Sequence, residues 1–287
     1  MPELPEVEII KQSLKKKINN MTILKVKINN SNLRFKLQKN FIEKVRNRKV
    51  INVNRIAKYL IISLDNNSYV LIHFGMSGTL HLKKKFEKKS ITNLSFYHSL
   101  SLPKKHNHVE LIFRNFKIIY NDPRRFGFFK YFARGEELNN YLNRIGLDPL
   151  NKNFNYNYLK KRIMLKNKNI KNILLDQKIL SGIGNIYANE ILFKSKINPN
   201  KAGKKISTKE LKKIEKNSKK ILRDAILKGG SSIRDFKNSD GKIGFYQNEF
   251  KVYNRENRKC LNQSCKLKIN KIFMSNRSTF YCKNCQK

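Results

Sequence analysis

The apolar positions of the chain change period twice. From Leu4 to Ile18 they recur at helical spacing, at Leu4, Val7, Ile9 or Ile10, Leu14 and Ile18, which predicts a helix entered through Pro5. Between Ile23 and Tyr131 the pattern becomes that of strands. Val50 to Leu64 and Tyr69 to Phe74 are β-rich runs joined by Asp65-Asn66-Asn67. Val109 to Phe113 and Phe116 to Tyr120 repeat the arrangement around Arg114-Asn115, and both read as hairpins. Short strands in succession predict a β-sandwich or barrel over residues 1–133. Lys83 to Ser90 interrupts them as a basic, polar loop.

After Arg134-Gly135 the period is helical again. Leu159, Ile163, Ile170 and Leu174 fall on one helix face broken only by Lys166. Ser207-Thr208-Lys209-Glu210 is a capping box. It opens a helix whose core face is Leu211, Ile214, Ser218, Ile221, Leu222 and Ala225, and Gly229-Gly230 ends that helix. Gly241 to Gly244 reads as a linker into a cysteine-bearing tail. The class expected is α+β in three parts: an N-terminal helix with a β-sandwich over 1–133, a helical domain over 134–244 and a ribbon over 245–287.

Charge adds a partner to this outline. Lys and Arg number 63 against 20 acidic residues, a formal net charge of +43. Self-repulsion of that size opposes compactness unless a polyanion is bound, and nucleic acid is the default polyanion. Abundant Asn and Ile point to a composition bias towards Lys, which weakens the inference without changing its sign. No run approaches the ~18–20 apolar residues of a membrane span, and the charged start lacks the apolar stretch of a signal peptide. The expectation is a cytoplasmic protein without a membrane partner.

The four cysteines read Cys260-x4-Cys265-x16-Cys282-x2-Cys285. Two close pairs across a short ribbon are what a tetrahedral zinc needs, and four thiolates close its coordination sphere, so one structural zinc is expected. Disulfides are the alternative, and an unexported chain disfavours them. Arg277 lies on the ribbon between the pairs, where it is either a phosphate contact or a solvated cation. Ser181-Gly182-Ile183-Gly184-Asn185 precedes an apolar segment. It is either a tight interhelical turn or a phosphate clamp at the positive end of a helix. Asp122-Pro123-Arg124-Arg125-Phe126-Gly127 and His73-Phe74-Gly75-Met76-Ser77-Gly78 are either plain turns or wedges that enter a duplex where a base has been extruded. By alternation Lys58 lies on a strand, facing solvent or a functional cleft. His106 and His108 have no acidic or cysteine neighbours at metal spacing and are not read as ligands.

The first residues, Met1-Pro2-Glu3-Leu4-Pro5-Glu6-Val7-Glu8, allow two readings. In one, the prolines stiffen the start and the acids favour the first turn of a helix. In the other, removal of Met1 frees the secondary amine of Pro2. Its pKa near ~8, against ~10.4 for a lysine, leaves part of it unprotonated at neutral pH. Such an amine attacks an aldehyde-like carbon to form an iminium, with Glu3 as the nearest proton donor.

Together these stretches resemble the bacterial formamidopyrimidine-DNA glycosylase family along the full length. The resemblance runs through Pro2 to Glu8, Ala57-Lys58-Tyr59, His73 to Gly78 and Asp122 to Gly127. It continues through Gly184-Asn185-Ile186-Tyr187-Ala188, Ser239-Asp240-Gly241, the Arg277 ribbon and the terminal Cys-x2-Cys-Gln-Lys. The related endonuclease VIII branch begins Pro-Glu-Gly-Pro-Glu, so Leu4 favours the branch that acts on oxidised purines. The first cysteine pair departs from the family, with x4 where many members have x2; both spacings bind zinc.

The resemblance implies a β-sandwich catalytic domain, a helix-two-turn-helix DNA-binding domain and a β-ribbon zinc finger. It implies a monomeric base-excision repair enzyme of the bacterial nucleoid. That enzyme acts on double-stranded DNA holding 8-oxoguanine, a formamidopyrimidine or an abasic site. Pro2 would attack C1′ of the damaged nucleotide, with Glu3 as general acid and Glu6 in support. Lys58 would assist β-elimination and contact a phosphate, and Arg277 would assist δ-elimination. Met76, Arg124 and Phe126 match the residues that fill the void; His106, Lys166 and Asn185 match DNA contacts, and Arg234 falls where the flipped base is read. Two other readings stand beside it: a non-enzymatic zinc-ribbon binder of DNA or RNA, and an endonuclease VIII-type glycosylase for oxidised pyrimidines. A binder has no need of a free N-terminal amine beside an acid.

Overall fold

The computed structural model describes residues 2–84, 103–231 and 245–287, and the backbone alone at 91–92. Met1, Arg234, the Ser239-Asp240-Gly241 stretch, the 241–244 linker and most of the expected Lys83–Ser90 loop lie outside the described residues. The chain forms two compact units, one of Met1–Asn143 with Lys228–Phe245 and one of Arg144–Leu227 with Tyr246–Lys287.

The first unit opens with α1 (Leu4–Ile18), the helix expected from its apolar spacing. There follow β1 (Thr22–Ile23), β2 (Lys25–Ile28), α2 (Phe41–Val45), β3 (Arg48–Ile56), β4 (Tyr59–Leu64), β5 (Tyr69–His73), β6 (Thr79–Lys84) and β7 (Ile91–Thr92). The unit continues with β8 (Asn107–Ile112), β9 (Phe116–Asn121), β10 (Phe128–Phe132) and α3 (Gly135–Leu142). The strands make two five-stranded antiparallel sheets, ordered β1-β3-β4-β5-β10 and β2-β8-β9-β6-β7. Alternate residues of both sheets point into one apolar cluster. Leu60, Ile62, Val70 and Ile72 of the first sheet meet Val109, Leu111, Ile118 and Tyr120 of the second, together with Val7, Ile10, Leu14 and Ile18 of α1. Burial of each such side chain is worth about 1.5–3 kcal/mol, so this cluster is what fixes α1 against the sheets.

Both expected hairpins form. Asn67, at φ +57°, supplies the left-handed residue between β4 and β5, and β8 joins β9 across Arg114-Asn115. The run from Val50 to Leu64 is not one strand, however. It folds back at Ala57-Lys58, so Lys58 sits in a two-residue turn between β3 and β4 rather than on a strand. Ala57 adopts φ +53° to make that turn, a conformation that no Gly or Asn announces in the sequence.

The second unit contains α4 (Tyr156–Ile163), α5 (Ile170–Leu175), α6 (Asn185–Ser195), α7 (Thr208–Leu227) and a hairpin of β11 (Asn270–Met274) with β12 (Arg277–Tyr281). The single helical face expected from Leu159 to Leu174 is two helices. Asn169 caps α5 by accepting from the Asn172 N–H at 2.9 Å. The connection before it bonds to the 201–204 segment through Ile170 N–H to Lys201 O and Lys204 N–H to Lys166 O. Gly203 lies so close that a Cβ there would meet Ile163 O at 2.8 Å and Lys166 O at 2.9 Å. Successive turns join α5 to α6, with Gly182 at φ +88°. The α7 capping box is made in full: Glu210 N–H donates to Ser207 Oγ at 3.2 Å and Ser207 N–H to Glu210 Oε2 at 2.8 Å. Its buried face is the one expected. No helix among the described residues is long and apolar enough to cross a membrane.

Candidate functional site

In the first unit the start of α1 is held from both sides. Glu3 caps the helix by accepting from the Glu6 N–H, while the Glu3 N–H donates back to Glu6 Oε2 at 2.9 Å, a reciprocal capping box with Pro5 in the first turn. Pro2, Glu3 and Glu6 are all buried. Glu6 Oε1 accepts from the Ser231 N–H at 3.0 Å and its hydroxyl at 2.9 Å. The reading of these acids as the cap of a helix is therefore met: Glu3 and Glu6 close the first turn of α1 immediately after Pro2.

Lys58, in the β3–β4 turn, is buried. Its charge bears on His73, whose pKa falls to about 4 through burial first, then the Lys58 and Arg34 charges. His73 ends β5 and leads into the Gly75-Met76-Ser77-Gly78 turn. Gly75, at φ +60°, packs so tightly on the Phe126-Gly127 backbone that a Cβ would lie 2.3 Å from the Phe126 carbonyl carbon. The Met76 turn and the Asp122–Gly127 turn thus abut. Asp122 secures the junction by accepting from the Ser77 hydroxyl, from Tyr120 OH at 3.0 Å and from the Gly127 N–H at 2.8 Å. Arg124 donates its N–H to Ser77 Oγ and lays its guanidinium over the Phe126 ring, 4.8 Å from the centroid. Met76 and Phe126 remain exposed at 42% each, so two large apolar side chains stand in solvent beside Arg124. His106 is brought to the same junction, its carbonyl accepting from the Asp122 N–H at 3.0 Å. His108 bonds the Asp122 carbonyl through Nε2 at 2.8 Å, while its Nδ1 is buried without a hydrogen-bond partner.

In the second unit the cysteines converge. Cys260, Cys265, Cys282 and Cys285 bring their sulfurs within 4.8 Å of one another, three of the residues buried and Cys285 half-buried. The Cys260–Cys285 and Cys265–Cys282 separations are 3.8 and 3.5 Å. Zn–S bonds of about 2.3 Å in a tetrahedron set sulfurs about 3.8 Å apart, so the cluster has the geometry of a structural zinc site. Two amide donors face its sulfurs: Asn262 Nδ2 donates to Cys285 Sγ at 2.9 Å and Asn284 Nδ2 to Cys265 Sγ at 3.5 Å. The bond from Asn284 is the main reason the Cys265 thiol is lowered to about 7, whereas burial raises Cys260 to about 12.

The cysteines lie at the base of the β11–β12 hairpin and Arg277 at its tip, exposed, after Ser275 and Asn276 with φ of +47° and +58°. Polar side chains dock this hairpin on α5 and α6. Asn185 Nδ2, in the first turn of α6, donates to Ser278 O at 2.9 Å, while its Oδ1 is buried without a hydrogen-bond partner. Lys171, fully buried, donates to Ser278 O at 3.0 Å and Thr279 Oγ1 at 2.6 Å. Asn189 accepts from the Phe280 N–H at 2.8 Å, and Glu190 accepts from the N–H groups of Lys251, Val252 and Tyr253. Lys166 lies apart from this group, half-buried in the α4–α5 connection. Sequence reasoning does not single out Lys171, Asn189 or Glu190. The available signal is Asn189-Glu190 inside a segment otherwise apolar on every side, where a polar group must find a partner.

Comparison with known proteins accords with this arrangement. Residues 1–129 match the formamidopyrimidine-DNA glycosylase N-terminal domain and residues 145–237 the formamidopyrimidine-DNA glycosylase H2TH domain. Formamidopyrimidine-DNA glycosylase of Rickettsia bellii is 41% identical over the whole of both chains, and that of Bartonella tribocorum 36%, again over the whole of both. Among solved structures, the Lactococcus lactis Fpg in complex with DNA containing an abasic site superimposes with a TM-score of 0.87 at 28% identity, covering 99% of each chain. A point mutant of that protein with Fapy-dG-containing DNA gives 0.88, covering 100% of each.

Proposed function

The chain belongs to the formamidopyrimidine-DNA glycosylase family, DNA glycosylases of base excision repair with AP lyase activity, and from that membership we propose that it excises oxidised purines through its N-terminal proline. The carrying observation is the buried start of α1, where a reciprocal capping box fixes Pro2 beside Glu3. With Met1 removed, the Pro2 nitrogen attacks C1′ of the damaged nucleotide. The C1′–N bond breaks, the base leaves with a proton, and an iminium joins protein to sugar. Glu3 supplies the proton that opens the sugar, and Glu6 keeps it in place. Base and sugar must first leave the stack, since C1′ is not productively reached inside an intact duplex.

Elimination then cleaves the strand. Lys58 assists loss of the 3′ phosphate and Arg277 loss of the 5′ phosphate, leaving a gap with phosphates at both ends. Met76 and Phe126, exposed beside Arg124, are sized to fill the space left by the extruded nucleotide. His106, Lys166 and Asn185 serve as backbone contacts, Asn185 from the N-terminal turn of α6 where a phosphate is favoured. Arg234, outside the described residues, is assigned to reading the flipped base. The first 133 residues carry the chemistry, 134–244 the helical DNA contacts and 245–287 the finger. When bound, zinc supplies a fixed base for the hairpin and takes no part in the chemistry. The relatives solved with abasic-site and Fapy-dG-containing DNA support duplex DNA bearing such lesions as the substrate.

Borohydride trapping on a duplex with one 8-oxoguanine opposite cytosine tests the reading. A covalent protein–DNA band, lost in Pro2→Gly, is expected. No band on that duplex or an abasic one, with tight binding and zinc intact, would make the chain a binder.

A further inference from the structure

Two acids of the α1 start cap the helix; a third, Glu8, does something else. Glu8 Oε2 accepts from Arg55 Nε at 2.7 Å, the two side chains only 13% and 9% exposed. The same guanidinium sends Nη1 to the carbonyl of Ala57 at 3.0 Å. Ala57 holds φ +53°, and the next residue is Lys58. One guanidinium therefore spans the helix that carries Pro2 and Glu3 at its start and the turn that carries Lys58. We propose that Glu8 and Arg55 are positioning residues for the elimination step, a strut that holds the Lys58 turn in fixed relation to α1.

Three features favour a strut over a pair that merely stabilises. A buried ion pair is often replaceable by apolar residues without loss of stability, so stability alone gives little reason for one here. The second bond of the guanidinium goes to the backbone of a left-handed alanine, a conformation an L residue adopts only where its surroundings impose it. And the carboxylate is kept charged: burial pushes Glu8 up, but Lys11 and Arg55 outweigh burial and hold it below its ordinary value. An apolar pair would fill the same space but cannot grip the Ala57 carbonyl. Misplacement of an acting group by about 1 Å costs up to ~100-fold in rate, so loss of the grip should be visible in the step that uses Lys58.

The inference rests on the reading of Pro2 and Lys58 above, and the test separates the two. Single-turnover β-elimination and borohydride trapping are measured on a pre-formed abasic duplex, with zinc content and thermal melting as controls. Arg55→Lys keeps a cation beside Glu8 but draws it back from Ala57. The double variant Glu8→Leu/Arg55→Met removes both charges together. Both are expected to melt near the wild type and to trap in comparable yield, yet to eliminate about tenfold or more slowly. A stable double variant that eliminates as fast as the wild type would overturn the strut and leave the nucleophile assignment standing. Failure of the wild type itself to trap would remove the assignment, and the strut with it.

Discussion

Glu6 and Ser231 stand 225 residues apart and share two hydrogen bonds to one carboxylate oxygen, from the Ser231 N–H and from its hydroxyl. The other oxygen closes the α1 capping box. Ser231→Ala removes one bond to a charged acceptor, which is worth about 1.5–3 kcal/mol. A fall in melting temperature is expected, with less imine trapped, because the acid that steadies Glu3 loses a partner. Gly230→Ala should act more strongly on stability: the position has φ +79°, and a Cβ would meet Ile9 Cδ1 at 3.0 Å. Differential scanning calorimetry of the two variants checks both.

The cysteine cluster predicts metal content. Wild-type protein should hold one zinc per chain, and Cys282→Ser should lose it together with DNA affinity. Emission spectroscopy beside a binding isotherm reads both quantities. Unchanged zinc in the variant would contradict the four-cysteine ligand set.

Acid should destabilise the first unit through His81. This side chain is fully buried, bonded through Nε2 to Thr79 Oγ1 at 2.6 Å with Nδ1 unpartnered, and burial lowers its pKa to about 3. A depressed pKa means that the unfolded chain takes up the proton first. The stability is fully present above the unfolded value near ~6.5 and is lost as pH falls towards the folded one. Between pH 7 and pH 5 this amounts to about 2 kcal/mol. Urea melts at the two pH values should show the loss, and His81→Leu should reduce it.

Binding should weaken steeply with salt. The log of the association constant should fall linearly with log salt, with a slope of about −0.9 for each phosphate neutralised. Lys166→Ala, which removes the cation among the assigned backbone contacts, should reduce that slope by about one. A flat response in the wild type would remove the electrostatic basis for a polyanionic partner.

Orphaning a docked strand should loosen the hairpin. Asn189→Leu leaves the buried Phe280 N–H without its acceptor, a cost of about 1–3 kcal/mol. Hydrogen exchange at Phe280 should quicken.

What is legible in the sequence is local. Periodicity finds α1 and the buried face of α7, and turn residues find both hairpins, because each depends on neighbours within a few positions. Lys58 reads as a strand residue, wrongly, because Ala57 takes a left-handed conformation that its side chain does not advertise. The run from Leu159 to Leu174 reads as one helix because two short helices keep one phase across their connection. Lys171 escapes notice since a lysine in so basic a chain looks solvated, and its partners Ser278 and Thr279 lie 107 and 108 residues further on. The cysteine spacing carries the metal centre, but Asn185 and Asn189 as the dock of the hairpin, and Glu190 as the anchor of the 251–253 backbone, depend on contacts that no period encodes.

The discontinuous first unit has a consequence for the order in which the molecule is made. Its β-sheets are complete by residue 132, yet Lys228–Phe245 also belongs to it. On a ribosome adding about 5–20 residues per second, Ser231 follows Phe132, the last residue of those sheets, by roughly 5–20 seconds. For that interval the nascent chain holds a folded sandwich whose Glu6 still lacks its distant partner. A fragment stopped at residue 143 would keep that unfinished state permanently, so activity is expected to arise only after the second unit has been synthesised.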